Sequence, residues 1–206
     1  MSQSKRDHWE RVWGTHPSTG VSWYAPHLVE SLRLIREVAA PHAAVIDVGG
    51  GASTLVDDLV DAGFSHVTVL DISESALSTA RARLGARAAS VTWVNADITT
   101  ATLPEAAYDV WHDRAVFHFL TTPADRDAYV AALERSLKPG GSVVIGTFAL
   151  GGPARCSGLD VVRYDAGGLQ RALGPHFALT AASEQTHVTP DGKPQHFVIC
   201  RLQRAA

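Results

Sequence analysis

Three short segments of the chain have residue types and spacing that suit a nucleoside site. Asp47-Val48-Gly49-Gly50-Gly51 follows an apolar run, and glycines let the backbone turn sharply and approach a ligand closely because they carry no Cβ. Asp71 ends a second apolar run, where a carboxylate can accept hydrogen bonds from a ribose diol. Asp97 follows a third run, where it can accept a hydrogen bond from the amino group of adenine. Together the segments predict a site for an adenosine-containing cofactor.

Each segment also has a plainer interpretation. The glycine run can be an ordinary tight turn, since glycine is common in turns. Asp71 can cap a helix that begins near Ser73, and Asp97 can be a turn residue. The order of all three along the chain favours the cofactor site over three unrelated turns.

A second group of polar residues lies among the aromatic side chains of segment 111–120. His118 can act as a base, because the pKa of histidine lies near physiological pH, or it can be a hydrogen-bonded wall residue. Arg114 can bind an anionic substrate group with two hydrogen bonds, or it can pair with Asp113. His112 and Asp113 alternate along a strand, so we expect one of them to face a covering helix.

The loop 147–159 follows a strand at the same edge and suits a lid or a substrate-binding loop. Within it, Cys156 can be a reactive thiol or an unremarkable free cysteine, and nothing in the sequence indicates a lowered thiol pKa. Arg155, Arg163 and Tyr164 can meet a polar substrate or lie on the surface.

Apolar runs that alternate with amphipathic stretches must position these residues. Runs without strict alternation indicate strands buried on both faces. The strand candidates are 43–48, 66–71, 90–94, 108–113, 142–148, 179–186 and 197–202. Apolar residues recur at helical spacing in 28–39, 55–63, 76–84 and 129–137, and Thr122-Pro123 predicts the start of the last of these helices.

Such an alternation predicts an α/β fold, a doubly wound, mostly parallel seven-stranded sheet with helices on both faces. Ligands of these sheets bind beyond the carboxyl ends of the strands, near the point where the strand order reverses. Every candidate residue named above lies near the carboxyl end of a predicted strand or after it, so the candidates are expected to meet at one edge of the sheet.

The composition limits the class of protein. The 206 residues are 46% apolar with a net charge of −3, which fits one compact domain without a general footprint for nucleic acid. The N-terminus is too polar for a signal peptide, and no apolar run approaches the ~20 residues that span a bilayer. Two cysteines and scattered histidines give no disulfide scaffold and no metal-ligand spacing. We expect a cytoplasmic monomer or weak dimer without a metal, nucleic-acid or membrane partner.

The glycine run departs from the dinucleotide fingerprint, because Thr54 occupies the position where that pattern needs a third small residue. A dehydrogenase must also seat a pyrophosphate, and it usually has a longer chain. S-adenosylmethionine contains no phosphate and tolerates the departure, so it is the expected cofactor.

The sequence resembles the class I S-adenosylmethionine-dependent methyltransferases. The similar segments are the glycine run 47–51, Asp71, Asn95-Ala96-Asp97 and Leu137-Lys138-Pro139-Gly140-Gly141. The resemblance covers roughly residues 28–202 and implies a Rossmann-like methyltransferase fold. It divides the chain into a cofactor-binding domain at 28–206 and an N-terminal aromatic segment at 1–27.

A narrower resemblance joins the chain to the thiopurine and thiol/halide methyltransferases, through Trp9-Glu10-Arg11-Val12-Trp13, Val21-Ser22-Trp23-Tyr24 and Asp113-Arg114-Ala115. In that group the N-terminal segment covers the cofactor and shapes the substrate pocket. Here the same aromatic residues can pack as a helix on the domain, or they can lie over a sulfonium, whose positive charge aromatic faces attract. Lysine methyltransferases with a related motif are also similar.

The resemblance, together with the residues themselves, gives the expected site. The cofactor-binding candidates are Asp47, Gly49, Gly50, Gly51, Asp71, Ile72, Asp97, Ile98, Asp113, Trp13 and Trp23. The substrate-binding candidates are Trp9, Tyr24, Arg114, Phe117, Phe148, Arg155 and Cys156. His118 and Asp113 are the candidates for catalysis.

The expected activity is methylation of a small molecule, such as a thiol or another soft nucleophile, by in-line transfer. Two alternatives stay open at this point. One is a protein lysine methyltransferase. An open acidic groove would support this alternative, and a closed aromatic pocket would count against it. The other is a binding module that holds S-adenosylmethionine without turnover.

Overall fold

The structure, a computed structural model, describes the backbone of residues 2–206 and the side chains from residue 5 onward. Seven strands form one sheet in the order β3-β2-β1-β4-β5-β9-β8. Neighbours from β3 to β5 pair in parallel, whereas β9 is antiparallel to both β5 and β8. The strands are β1 (Ala44–Val48), β2 (His66–Asp71), β3 (Val91–Asn95), β4 (Tyr108–Arg114), β5 (Leu137–Phe148), β8 (Phe177–Val188) and β9 (Pro194–Arg204). The predicted fold class is confirmed.

Helices cover both faces of this sheet. Helices α2 (Val29–Val38), α3 (Leu55–Asp61) and α4 (Glu74–Leu84) pack against one face. Helices α5 (Pro123–Ser136) and α6 (Ala166–Leu173) pack against the other. The first helix, α1 (Ser2–Thr15), belongs to neither layer and lies beyond the carboxyl ends of the parallel strands.

The start of α5 agrees with its sequence signal. Thr122 is the N-cap and its hydroxyl accepts a hydrogen bond from the backbone N–H of Asp125 at 3.1 Å, with Pro123 in the first turn. Other boundaries differ from the prediction. Helix α3 begins at Leu55 rather than near Ser53, and β5, β8 and β9 are longer than their apolar centres.

Two features of the second half were not predicted. The loop after β5 contains a short antiparallel pair, β6 (Arg155–Cys156) with β7 (Leu159–Asp160). Helix α6 follows it, capped by the Asp165 side chain. In the part of the chain that the structure describes, no helix is both long enough and apolar enough to cross a membrane.

Candidate active site

A cavity lies beyond the carboxyl ends of the parallel strands, where the strand order reverses between β1 and β4. Helix α1 forms its roof through Trp9 and Trp13. The sequence-predicted site residues in its lining are Trp9, Trp13, Trp23, Tyr24, Asp47, Gly49, Gly50, Asp71, Ile72, Asp97, Ile98, Arg114, Phe148 and Cys156. Residues from widely separated segments therefore meet at one edge of the sheet.

The glycine run forms a tight loop against the end of β2. The backbone N–H groups of Gly49 and Gly50 donate to the carbonyl oxygen of Leu70, at 2.6 and 3.2 Å. Gly49 has a φ of +67°, and a Cβ there would lie 1.9 Å from a methyl carbon of Val116. Only glycine fits this backbone position, which explains the residue type that made the loop visible in the sequence.

Asp47 is held by His112, its partner on the neighbouring strand β4. Its Oδ1 lies 2.7 Å from Nδ1 of His112, and Nε2 of His112 lies 2.9 Å from the hydroxyl of Ser31 in α2. All three side chains are buried. His112 thus faces the covering helix α2, while Asp113 faces α5 on the other side of the sheet. The second oxygen, Oδ2 of Asp47, is buried and has no hydrogen-bond partner among the described residues.

An orphaned carboxylate oxygen at the cavity wall fits a ligand that brings a hydrogen-bond donor. A Cβ on Gly50 would lie 2.5 Å from this oxygen, so glycine is needed to leave space beside it. The loop and Asp47 together form a cradle that a polar, donor-bearing group can fill.

Asp71 is buried at the cavity wall, where its Oδ1 accepts a hydrogen bond from the backbone N–H of Ser73 at 2.8 Å. The N-cap of α4 is Ser73, so Asp71 does not cap that helix. Burial, and also the nearby charges of Asp47 and Glu10, raise the pKa of Asp71 to about 7 despite the hydrogen bonds that it accepts. Hydrogen bonds from ligand hydroxyls would stabilise the charged form of this carboxyl group.

Asp97 lies at the far end of the same wall. Its Oδ1 accepts hydrogen bonds from the backbone N–H and the hydroxyl of Thr99, at 2.9 and 2.7 Å. This is the turn that the plainer interpretation describes, yet Asp97 and Ile98 also line the cavity. The local turn fixes the loop that presents both residues.

Aromatic rings enclose the other part of the cavity, beneath α1. Trp23 contacts Trp9 and Trp13 edge-to-face, with ring centroids 6.0 and 5.7 Å apart, and Trp9 contacts Phe119 in the same way at 5.1 Å. Rings at right angles to one another form a box whose faces favour a positive charge. The packing and the functional interpretations of the tryptophans are therefore compatible.

Arg114 is the strongest unpaired charge of the lining. One of its guanidinium nitrogens donates to the carbonyl oxygen of Trp23 at 2.9 Å, and its Cζ lies 4.8 Å from the ring centroid of Phe197. Within the described residues, no carboxylate lies within ion-pair distance of it. Burial lowers the pKa of Arg114 to about 10, so the group stays charged at neutral pH.

Asp113, which follows His112 in β4, forms its hydrogen bonds within the protein interior. It accepts hydrogen bonds from the backbone N–H groups of Val116 and Phe117, at 2.8 and 3.0 Å, and from the Tyr129 hydroxyl at 2.7 Å. Asp113 is completely buried and does not line the cavity. The expectation that it touches cofactor or substrate is corrected: it closes the turn after β4, and it does not pair with Arg114.

His118 is also placed behind the cavity wall. Its Nδ1 accepts a hydrogen bond from the backbone N–H of Phe148 at 3.3 Å, and its ring packs on Phe119 and Phe148. Burial, followed by the charge of Arg114, lowers the pKa of His118 to about 3. This placement corresponds to the hydrogen-bonded wall residue rather than to the base.

Three more candidates divide between the cavity and its surroundings. Cys156 lines the cavity, and burial raises the pKa of its thiol, which argues against a reactive thiolate. Arg155 is exposed and pairs with Asp160 at 3.0 Å. Phe117 packs in the core against Tyr129, and Gly51 lies beside the cavity without lining it. The predicted contacts of Arg155, Phe117 and Gly51 with a ligand are therefore corrected.

Among the lining residues that the sequence reasoning did not name as binding candidates are two phenylalanines. Phe119 follows the buried His118, and Phe197 lies in β9 directly opposite Phe148. In the sequence, Phe119 is recognisable only as part of an apolar run. The placement of Phe197 depends on the antiparallel pairing of β9 with β5, which no local sequence pattern specifies.

Comparisons with known proteins agree with this geometry. Residues 45–141 match the family model described as a methyltransferase domain. The eEF1A lysine and N-terminal methyltransferase of Mus musculus is 26% identical over 141 residues, which are 66% of this chain and 20% of that protein. The chain thus spans about a fifth of the length of the curated relatives that it matches first.

Solved structures extend the likeness in fold to nearly the whole chain. One, described under the conversion of a disulfide bond into a thioacetal group during echinomycin biosynthesis, has a TM-score of 0.78 at 20% identity, over 98% of this chain and 92% of that one. The 1,6-didemethyltoxoflavin-N1-methyltransferase of Burkholderia thailandensis, solved with S-adenosylhomocysteine, has a TM-score of 0.69 at 20% identity, over 98% and 85%.

The matching segment 45–141 contains the glycine loop, Asp71, Asp97 and β4, which carry most of the cavity's sheet edge. The mostly parallel seven-stranded sheet and the tight loop at Gly49 are those that the sequence predicts. On these grounds residues 45–141 form a methyltransferase domain, and the chain has the fold of the S-adenosylmethionine-dependent methyltransferases.

Proposed function

We propose that this protein transfers the methyl group of S-adenosylmethionine to a small molecule, with a thiol or a related soft nucleophile as acceptor. The observation that carries the proposal is the form of the cavity. It is roofed by α1 and walled by aromatic rings, with Trp9, Trp13, Trp23 and Phe119 in edge-to-face contact. Such a space suits a small acceptor better than an extended peptide.

The residues of the cradle fit the cofactor. The orphaned Oδ2 of Asp47 would accept from the amino group of its methionyl part, and Asp71 would accept from its ribose hydroxyls. Asp97 and Ile98 would border the adenine, while Gly49 and Gly50 leave room for close approach. When bound, S-adenosylmethionine supplies a sulfonium methyl group that an in-line nucleophile can accept as the carbon–sulfur bond breaks.

The protein's own part is to align the reactants and to exclude water. The rings of α1 and the wall at Phe119 and Phe148 give this part of the cavity an apolar lining that would disfavour water. Arg114 would hold an anionic group, which can be a carboxylate of the acceptor or the methionyl carboxylate of the cofactor. Among the described residues, the cavity wall thus carries acids on its nucleoside side and, beyond them, one cation without an ion pair, Arg114.

The placement of the candidate bases supports a soft acceptor. His118 and Asp113 both lie outside the cavity lining, so neither is positioned to take a proton from an acceptor. A thiol with a pKa near 8.5 reaches the cavity partly as a thiolate and needs no protein base. An alcohol has no such route, which makes it the less favoured acceptor.

A protein substrate is the second candidate, favoured by one specific observation. The relatives that match first are eEF1A lysine and N-terminal methyltransferases, at 26% identity over 141 residues in the mouse protein. The similar structure described for conversion of a disulfide into a thioacetal group concerns sulfur chemistry and favours the first candidate instead.

The deciding experiment measures binding first and transfer second. Titration calorimetry with S-adenosylmethionine and S-adenosylhomocysteine should show binding of both. Label from the cofactor methyl group should then appear on a panel of small thiols and not on amines, alcohols or protein extracts. Label on protein alone would replace the small-molecule proposal with the lysine candidate. Binding without any transfer would leave a binding module, and absence of binding would overturn the proposal altogether.

A further inference from the structure

Glu10 connects the roof of the cavity to the start of α4. Its Oε1 accepts a hydrogen bond from the backbone N–H of Glu74 at 2.6 Å. Its Oε2 accepts from the backbone N–H of Ser75 at 3.3 Å and from the hydroxyls of Ser73, at 3.2 Å, and Ser75. A side chain 63 positions away in sequence from Ser73 thus satisfies donors in the first turn of α4.

The contact is electrostatically favourable. The first turn of a helix presents free N–H groups and the positive end of its dipole, both of which favour a carboxylate. Burial alone would raise the pKa of Glu10, but the hydrogen bonds from Ser75, Glu74 and Ser73 together lower it. Glu10 is therefore ionised at neutral pH, in the form that binds a helix N-terminus best.

Ser73 links this contact to the ribose acid. Its hydroxyl donates to Glu10 and accepts from the backbone N–H of Ala76, while its own backbone N–H donates to Asp71 at 2.8 Å. The carboxylates of Glu10 and Asp71 are close enough that the charge of Glu10 raises the pKa of Asp71. Ser73 therefore connects the Glu10 contact in the roof to Asp71 on the nucleoside side of the cavity.

Among the described residues, two further side chains of α1 make polar contacts with the domain. Lys5 pairs with Asp125 at the start of α5 at 3.0 Å, and Arg6 donates to the Asn95 side chain at 2.6 Å. Each of these is a single contact of a flexible side chain, and exposed pairs of this kind stabilise by only ~0–1 kcal/mol. Glu10 makes four contacts to one helix turn, so it is the main polar anchor of the face that carries Trp9 and Trp13 over the cavity.

We propose that Glu10 is a positioning residue, which holds α1 closed by binding the N-terminus of α4 and thereby sets how long an adenosine cofactor stays in the cavity. The inference rests on the proposed function, since it takes the cavity's occupant to be S-adenosylmethionine or its product. Glu10 contacts neither the methyl group nor the acceptor in this scheme. It acts through the tryptophans that its helix carries.

The test measures release of S-adenosylhomocysteine from the full chain. Stopped-flow tryptophan fluorescence can follow dissociation, because Trp9 and Trp13 lie in the moving element. Replacement of Glu10 by Gln keeps one carbonyl acceptor and loses the charge, whereas replacement by Ala loses all four contacts. Loss of a helix cap costs ~1 kcal/mol, so dissociation should accelerate about fivefold for Glu10→Gln and tenfold or more for Glu10→Ala.

A matched control is Glu74→Gln, which removes a carboxylate from the same helix turn. The Glu74 side chain contacts Arg81 and Ser78 and makes no hydrogen bond to the side chains of α1 that the structure describes, from residue 5 onward. Release from this variant should occur at the wild-type rate. Hydrogen exchange of residues 5–15 should also rise in the two Glu10 variants with S-adenosylhomocysteine bound, and stay unchanged in the control.

Each outcome has one meaning. Wild-type release rates in both Glu10 variants would overturn the inference, even if their thermal stability falls, because a cap of purely structural importance moves stability alone. If Glu10→Ala does not fold, Glu10→Gln and Ser75→Ala, which removes one hydroxyl donor, still test the same contact. Failure of the wild-type protein to bind S-adenosylhomocysteine would instead reject the proposed function.

Discussion

The two sides of the cavity are built in different ways. On the nucleoside side, Asp47, Asp71 and Asp97 each lie at or just beyond the carboxyl end of a parallel strand, and short loops or buried partners fix their carboxylates. On the acceptor side, the lining comes from five segments: α1, the segment around Trp23, the end of β4, the β6–β7 hairpin, and β9. The first side depends on backbone turns, and the second on side chains brought together from five distant segments.

This difference explains how charge is distributed. Carboxylates on the nucleoside side are either hydrogen-bonded or, at Oδ2 of Asp47, ready for a donor. The acceptor side is aromatic, and its polar groups are buried behind the wall, as His118 is, or unpaired within it, as Arg114 is. Substitutions on the nucleoside side should therefore change cofactor affinity, and those on the acceptor side should change discrimination between ligands.

The largest effect is expected for Asp71→Asn. Loss of the charged acceptor should weaken S-adenosylhomocysteine binding roughly 10- to 100-fold, since hydrogen bonds to charged groups contribute ~1.5–3 kcal/mol. Because the pKa of Asp71 is raised to about 7 and ligand hydroxyls favour the carboxylate, wild-type affinity should increase as pH rises through 7. Calorimetry between pH 6 and 8 measures both effects.

The same variant should stabilise the protein without ligand. A raised pKa means that the folded state binds a proton more tightly than the unfolded one, so stability is lost as pH rises from about 4 to about 7. Asp71→Asn removes that loss and should raise the thermal midpoint at pH 8. Asp57→Asn, which removes a surface partner of Arg83, is the control for affinity. Equal affinities of Asp71→Asn and wild type would exclude a ribose contact.

Arg114→Met should have the next largest effect, about 10- to 50-fold, on whichever ligand brings the anion. If the acceptor brings it, KM for carboxylate-bearing thiols should rise while KM for neutral thiols stays the same. If the cofactor brings it, S-adenosylhomocysteine should lose affinity and 5′-methylthioadenosine, which lacks the carboxylate, should not. Equilibrium binding and steady-state kinetics separate these two results.

Arg155→Met is the matched control, because Arg155 pairs with Asp160 outside the cavity. The thermal midpoint of Arg114→Met should equal or exceed that of wild type, since the substitution removes a partly buried charge without a carboxylate partner. If Arg114→Met changes no ligand's affinity, the cation has only a structural contact with Trp23 and Phe197.

A smaller effect is expected for Trp9→Leu. Its indole is part of the aromatic box, and a cation–π contact contributes ~0.5–2 kcal/mol. Affinity for S-adenosylmethionine should fall about 3- to 20-fold, more than affinity for the uncharged S-adenosylhomocysteine. The ratio of the two dissociation constants is the measurement. Trp93→Leu, in β3 and away from the cavity, should leave this ratio unchanged.

The sequence could predict the nucleoside side because its signals are local. A glycine at position 49 is required by its own backbone angle, and Asp71 is the last residue of its strand. On the acceptor side, the identity of strand-end residues was visible but their orientation was not. Asp113 and His118 were the two candidates for catalysis, yet Asp113 is hydrogen-bonded to Tyr129 and His118 lies under Phe148. Which polar atoms are already satisfied depends on tertiary packing.

The smallest effect is expected for His118→Asn, which distinguishes a wall residue from a base. The amide oxygen of Asn can replace Nδ1 as acceptor for the N–H of Phe148, while the titratable group is lost. Since burial and the charge of Arg114 lower the pKa of His118 to about 3, the wild-type ring is already neutral between pH 5 and 8. Turnover should stay within about twofold of wild type, with the same pH profile. A large fall in kcat that removes a pH-dependent limb, at unchanged cofactor affinity, would return His118 to the reaction and would require the wall at Phe119 and Phe148 to open during turnover.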